Sequence, residues 1–163
     1  MMKIRSRMLP ICASLVLLAS SGLTMAQSSK HTCMNMGPNL PEPLGDRDGH
    51  AVLVADASCM NEGGLLDGTV MTTRSVWELD KGAMNILSAD GVSRKPGATV
   101  AYRVTAGSMT YVMKDGKPAG WNASGKGVYT MSTGAAAALA GKTFTWTGYA
   151  TGPRSYVLES KVD

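Results

Sequence analysis

Apolar and polar side chains alternate at period two from His50 to the end of the chain, and this alternation restricts the fold more than any other feature. Successive side chains of a strand point to opposite faces, so the pattern predicts strands with one apolar face. Turn signals such as Asp67-Gly68 and Lys81-Gly82 recur between the alternating segments. Together they predict an all-β, antiparallel barrel of about eight strands, because closure of the sheet leaves no exposed edge.

The alternation and the turn signals also place the individual strands. The predicted strands cover residues 50–57, 68–79, 83–89, 98–106, 108–114, 119–131, 142–150 and 155–162. Asp90-Gly91 and Gly107 are interpreted as turns between them. The alanine-rich segment 135–140 is too short for an independent helix, so we expect one short helical turn there, at an end of the barrel.

Residues 1–26 have the pattern of a secretory signal peptide. Three basic residues precede a mostly apolar stretch over 9–23, and the small residues Thr24 and Ala26 form a cleavage site before Gln27. Pro10 and several serines disfavour the alternative of a transmembrane anchor. We therefore expect cleavage after residue 26, a periplasmic or secreted protein, and no membrane contact after cleavage.

The basic character of the chain belongs to this first segment. The whole sequence has 16 Lys and Arg against 12 Asp and Glu, a net charge of +4. The segment contains three of the basic residues and none of the acidic ones, so its removal leaves 13 against 12, a net charge of +1. The remaining basic residues are scattered, apart from Arg94-Lys95, and form no stripe that could follow a phosphate backbone. No nucleic-acid partner is predicted.

Residues 27–49 are expected to form a flexible tail, because they are rich in proline and glycine, which disfavour regular strands. The barrel domain then spans 50–163. Cys33 and Cys59 are the two cysteines that remain after cleavage. They lack C-x-x-C spacing, so a disulfide is favoured over redox or metal chemistry in an oxidising compartment.

A glycine-spaced segment reads GKGVYTMSTG over 125–134 and continues as ALAGKTF over 138–144. This order of strand, turn, short alanine-containing turn and strand resembles the signature of the allene oxide cyclase and dirigent type of small secreted β-barrel. The Thr133-Gly134-Ala135 turn departs from the Gly-Thr-Gly of that group. The resemblance implies an eight-stranded barrel, often a homo-oligomer, that binds or guides a hydrophobic small molecule without a cofactor. It places no catalytic residue on this chain.

Aromatic residues on the predicted strands are candidates to line a cavity inside the barrel, with a charged neighbour as a polar anchor. The candidate ligand-binding residues are Trp77, Glu78, Tyr102, Arg103, Tyr111, Trp121 and Trp146. Alternation places Glu78 and Arg103 opposite their aromatic neighbours, so the aromatic residues are also interpretable as ordinary core.

A second candidate site combines imidazole and thioether groups, the ligands that Cu(I) prefers. The candidate metal ligands are His31, Met34, Met36, His50 and Met60, which a Cys33–Cys59 disulfide would bring closer together. The alternative is methionine packing around a structural disulfide.

No motif for a cofactor or for nucleophilic catalysis stands out. The segment from Gly120 to Gly127 lacks the Ser/Thr and the following helix of a phosphate-binding loop, and the chain has no G-x-S-x-G. The leading hypothesis is therefore a non-catalytic binding or structural module without a cofactor. The alternatives are an enzyme or guide protein for a hydrophobic small molecule in the barrel, and a periplasmic copper-binding protein.

Overall fold

The computed structural model describes residues 27–163, so the predicted signal peptide over 1–26 lies outside the described residues. Nine strands account for most of this part of the chain. They are β1 (Ser28–Asn35), β2 (Glu42–Pro43), β3 (Ala51–Glu62), β4 (Val70–Asp80), β5 (Ala83–Lys95), β6 (Ala98–Lys114), β7 (Lys117–Gly134), β8 (Thr143–Ala150) and β9 (Ser155–Val162). Two short 3-10 turns, Gly64–Leu66 and Ala137–Leu139, complete the regular structure of the described residues.

Eight of the strands close into an antiparallel barrel. From β3 to β9 each strand pairs with the next, β9 pairs with β1, and β1 pairs back with β3. The two-residue strand β2 lies outside the barrel, beside the start of β3. The predicted fold class, an antiparallel barrel of about eight strands, is confirmed, and the 3-10 turn Ala137–Leu139 lies where the helical turn was predicted.

The prediction that 27–49 is a tail is wrong for its first part. Strand β1 lies between β9 and β3 and supplies the pairing that closes the barrel. Its inward side chains are Ser29, His31 and Cys33, while the exposed Met34 faces outward. Most side chains on both faces of β1 are polar, so the strand has no apolar alternation by which the rule could find it.

Two glycines interpreted as turns lie inside strands. Residues 98–106 and 108–114 form the single strand β6, with a register shift between Val104 and Ala106 and with Gly107 in its interior. Gly91 lies within β5 in the same way. The predicted number of strands was right because one strand was divided in two and another was missed.

These glycines make room for aromatic side chains inside the barrel. A Cβ atom at Gly91 would lie 2.5 Å from Cζ of Tyr102, and one at Gly107 would lie 2.9 Å from Cζ2 of Trp146. A glycine inside a strand commonly marks such a close approach. Large aromatic rings therefore pack inside the barrel against glycine backbone that carries no Cβ atom.

Candidate functional site in the barrel interior

A cavity of about 100 Å³ lies among the inward side chains of the barrel. Its aromatic wall consists of Trp77, Tyr102, Tyr129, Phe144, Trp146 and Tyr156. Hydroxyl groups and one imidazole interrupt this apolar surface. No Asp, Glu, Lys or Arg is among the described residues that line the cavity. A site of this kind suits an uncharged molecule with one or two polar atoms.

The most polar part of the wall is centred on His31, which is 5% exposed. His31 Nδ1 lies 2.7 Å from Oδ1 of Asn61, and Nε2 lies 2.8 Å from Oγ of Ser160. The three residues come from β1, β3 and β9, which are neighbours in the sheet, and each points inward. Strand β1 therefore carries the imidazole that connects Asn61 on β3 to Ser160 on β9.

The neighbours of Asn61 fix which nitrogen of His31 carries the proton. The hydroxyl of Thr69 donates to the carbonyl of Leu66 at 2.7 Å, so the Thr69 oxygen must accept from Nδ2 of Asn61, which also lies at 2.7 Å. The amide oxygen of Asn61 then faces His31 and accepts from Nδ1–H. In the neutral ring Nε2 is consequently the acceptor, and the Ser160 hydroxyl donates to it.

The titratable groups of the cavity are neutral at neutral pH. Burial lowers the pKa of His31 below its ordinary value of 6.5. Burial raises the pKa of Tyr129 to about 12. Burial likewise raises the pKa of Tyr102 to about 12 and shifts the pKa of Tyr156 upward. The cavity thus offers uncharged donors and acceptors.

One residue of the cavity wall has a fully buried donor without a hydrogen-bond partner. The indole Nε1 of Trp146 is buried and lacks a hydrogen-bond partner, whereas Nε1 of Trp77 donates to Oγ of Ser75 at 2.9 Å. Trp146 is directly opposite Ser160 in the β8–β9 pairing. A buried donor without a partner costs about 1–3 kcal/mol, so it is an exception that needs a reason.

The structure separates the predicted ligand-binding residues into two groups. Trp77, Tyr102 and Trp146 line the cavity. Trp121 packs against the core, with its ring 5.4 Å from that of Tyr156. The other three predicted residues do not line the cavity. Glu78 is hydrogen-bonded to His50, and Nε of Arg103 lies 3.0 Å from Oδ1 of Asp90. Tyr111 is 41% exposed.

The five predicted metal ligands are not brought together. His31 is inside the barrel, while Met34, Met36 and Met60 are exposed side chains outside it. His50 is hydrogen-bonded through its two ring nitrogens to Asp46 and Glu78. Within residues 27–163, no group of three or more His, Cys, Asp and Glu is placed to hold a metal ion.

His50 belongs to an ionic cluster at the start of β3. Its Nε2 lies 3.0 Å from Glu78, and Arg47 lies 2.8 Å from Asp80. The hydrogen bond to Asp46 is the main reason that the pKa of His50 is raised. The cluster fastens the segment before β3 to β4.

Cys33 and Cys59 face each other across β1 and β3 and form a buried disulfide. This pairing is the one favoured by the sequence. It lies two residues from His31 along β1, so it holds in place the strand that carries the imidazole.

The residues that sequence reasoning missed are Asn61, Ser160, Tyr129 and the role of His31. The only signal was the pair of polar inward residues Ser29 and His31 on β1, and that signal is visible only once the strand is known. No helix of the described part of the chain is long and apolar enough to cross a membrane. Comparison with protein-family models, with curated proteins and with solved structures found no match to this chain.

Proposed function

We propose that this chain is an exported binding module whose barrel holds a small, uncharged and largely apolar molecule with one hydrogen-bond acceptor. The buried, unpartnered indole N–H of Trp146, a residue that lines the cavity, carries this proposal. A ligand acceptor would satisfy a donor that the protein itself leaves without a partner. The aromatic wall supplies the apolar contact.

The size of the cavity limits the ligand to about one small ring. An apolar cavity of about 150 Å³ is enough to bind benzene, and the cavity here is about 100 Å³. The neutral lining disfavours an ionic ligand, because a buried charge without a partner of opposite sign is costly. A five-membered cyclic ketone is small and mostly apolar and has a single strong acceptor.

The disulfide supports the exported location. Buried disulfides persist in oxidising compartments such as the periplasm and the extracellular space, and Cys33 and Cys59 are each 2% exposed. The signal peptide and its cleavage remain predictions from the sequence. The copper-binding hypothesis is not carried forward, because its five residues lie on both sides of the barrel wall.

Substitution of Trp146 tests the proposal through a matched pair of ligands. Cyclopentanone and cyclopentane have similar shapes, but only the ketone has an acceptor. Trp146→Phe should lower the ratio of ketone affinity to hydrocarbon affinity by about fivefold, the effect of a hydrogen bond worth about 1 kcal/mol. Calorimetric titration of the unmodified protein and of Trp146→Phe with each ligand measures that ratio without relying on tryptophan fluorescence.

Trp121→Phe is the control, since Trp121 is not among the described residues that line the cavity. It should leave the affinity ratio unchanged. The proposal fails if the ketone does not bind the unmodified protein, or if Trp146→Phe weakens the ketone and the hydrocarbon equally.

A further inference from the structure

We propose that Ser160, His31 and Asn61 form an acyl-transfer relay inside the barrel, with small neutral esters as substrates. This inference rests on the proposed function, because the ester would occupy the same cavity as the ligand. It adds a covalent reaction at Ser160 to that binding. Ser160 is the nucleophile, His31 the general base, and Asn61 a positioning residue.

The order of contacts is the one that activates a serine. The Ser160 hydroxyl lies 2.8 Å from Nε2 of His31, and Nδ1 of the same ring lies 2.7 Å from Asn61. A nucleophile, a base within hydrogen-bond reach, and a third group that orients the base define this type of relay on many unrelated folds. Ser160 and His31 both line the cavity, so a bound ester can reach them.

Asn61 is itself held in one orientation. Its Nδ2 donates to Thr69 at 2.7 Å and to Ser93 at 3.1 Å, and the side chain is 2% exposed. Its amide oxygen can therefore accept only from the direction of His31. This arrangement keeps Nε2 free of a proton and ready to accept one from Ser160.

The same wall supplies donors for the negative charge that develops on the ester carbonyl. Trp146 is opposite Ser160 in the β8–β9 pairing, and its indole N–H has no partner. The phenol of Tyr129, which lines the same cavity as Ser160, keeps its proton at neutral pH. Fixed donors aimed at the developing charge stabilise such an oxyanion strongly.

The chemical step balances with water as the only co-reactant. Oγ of Ser160 forms a bond to the acyl carbon, its proton passes to Nε2 of His31, and the bond from the acyl carbon to the leaving oxygen breaks. His31 gives that proton to the departing alcohol. Water then attacks the acyl-serine, its proton passes through His31 back to Ser160, and the carboxylic acid leaves.

The other serines of the cavity provide internal controls. Ser75 and Ser93 line the same cavity, but Ser75 accepts from Trp77 and Ser93 accepts from Asn61. Neither is hydrogen-bonded to an imidazole. A reagent that enters the cavity should therefore distinguish Ser160 from the buried Ser93 and the half-buried Ser75.

Methanesulfonyl fluoride is a small serine-directed probe for the oxidised protein. Its sulfur bonds to Oγ of Ser160 while the S–F bond breaks, and the serine proton leaves with fluoride. We expect one label per chain, located on Ser160 by peptide mass spectrometry. His31→Gln should slow labelling at least about 100-fold, the lower range of general-base effects, and Ser160→Ala should abolish it.

The pH profile of the unmodified protein provides a readout that does not depend on how the variants fold. The neutral form of His31 is the active form, and its pKa lies below 6.5. The labelling rate should be constant above pH 6.5 and fall only at lower pH. Labelling that follows no such profile would overturn the inference.

Cyclopentanone binding, measured in parallel, separates this inference from the proposed function. If the ketone binds but Ser160 is not labelled, or if Ser75 and Ser93 are labelled as fast, the relay is refuted and the binding site stands. If Ser160 is not labelled and the ketone does not bind, both are refuted. Labelling of Ser160 that requires His31 supports the relay.

Discussion

Removal of the Cys33–Cys59 disulfide is expected to lower the free energy of unfolding by about 3 kcal/mol. The bond joins two residues 26 apart in the sequence, and it links β1 to β3 where these strands close the barrel. Without it the unfolded chain gains conformational freedom, and β1 is held only by strand pairing and its buried side chains. Urea unfolding of the oxidised protein and of the Cys33→Ala, Cys59→Ala double variant measures the difference.

Met60→Ala is a suitable control on the same strand. Met60 follows Cys59 in β3 and is 54% exposed, so its truncation should change stability by no more than about 0.5 kcal/mol. Equal stability of the double variant and the oxidised protein would show that β1 does not depend on the disulfide for its place in the barrel.

Gly125→Ala is expected to destabilise the barrel by about 3 kcal/mol or more, at the upper end of overpacking effects. A Cβ atom at Gly125 would overlap the carbonyl oxygen of Ala106 and would lie 2.7 Å from Cζ2 of Trp146. The backbone oxygen cannot move without breaking strand pairing, so the strand itself must shift to relieve the overlap. Thermal unfolding followed by circular dichroism measures the loss.

Gly120→Ala is the matched control in the same strand. A Cβ atom added at Gly120 would have the Cβ of Ala150 as its nearest neighbour, at an ordinary contact distance of 3.6 Å. This variant should be within about 0.5 kcal/mol of the unmodified protein. If Gly125→Ala and Gly120→Ala are equally stable, the position of the Trp146 ring does not depend on the absence of a Cβ atom at residue 125.

The fold was largely predictable because most strands follow the rule of apolar side chains inside. Trp77, Tyr102 and Trp146 occupy alternating positions that the sequence assigns to one face, and the structure places them inward. Gly91 and Gly107 were wrongly predicted as turns, because glycine occurs both in turns and at strand positions where an aromatic ring packs against the backbone. Only the opposite strand distinguishes them.

The polar part of the site was not predictable by the same rule. His31 and Asn61 are 30 residues apart, and His31 and Ser160 are 129 apart, so no local spacing connects them. Strand β1 lacks apolar alternation, and it was included in a predicted tail because of the proline- and glycine-rich residues that follow it. The disulfide could be predicted because two cysteines in an exported chain leave one pairing.

The environment of the Trp146 indole N–H is the most direct test of a binding site inside the barrel. A nitrogen-15 correlation spectrum of the oxidised protein resolves the three indole groups, which the Trp→Phe variants at 77, 121 and 146 assign. On titration with cyclopentanone, the Trp146 signal should move saturably and further than that of Trp77, which is already bonded to Ser75. A Trp146 signal that stays in place, or that moves without saturating, would contradict a ligand site in this barrel.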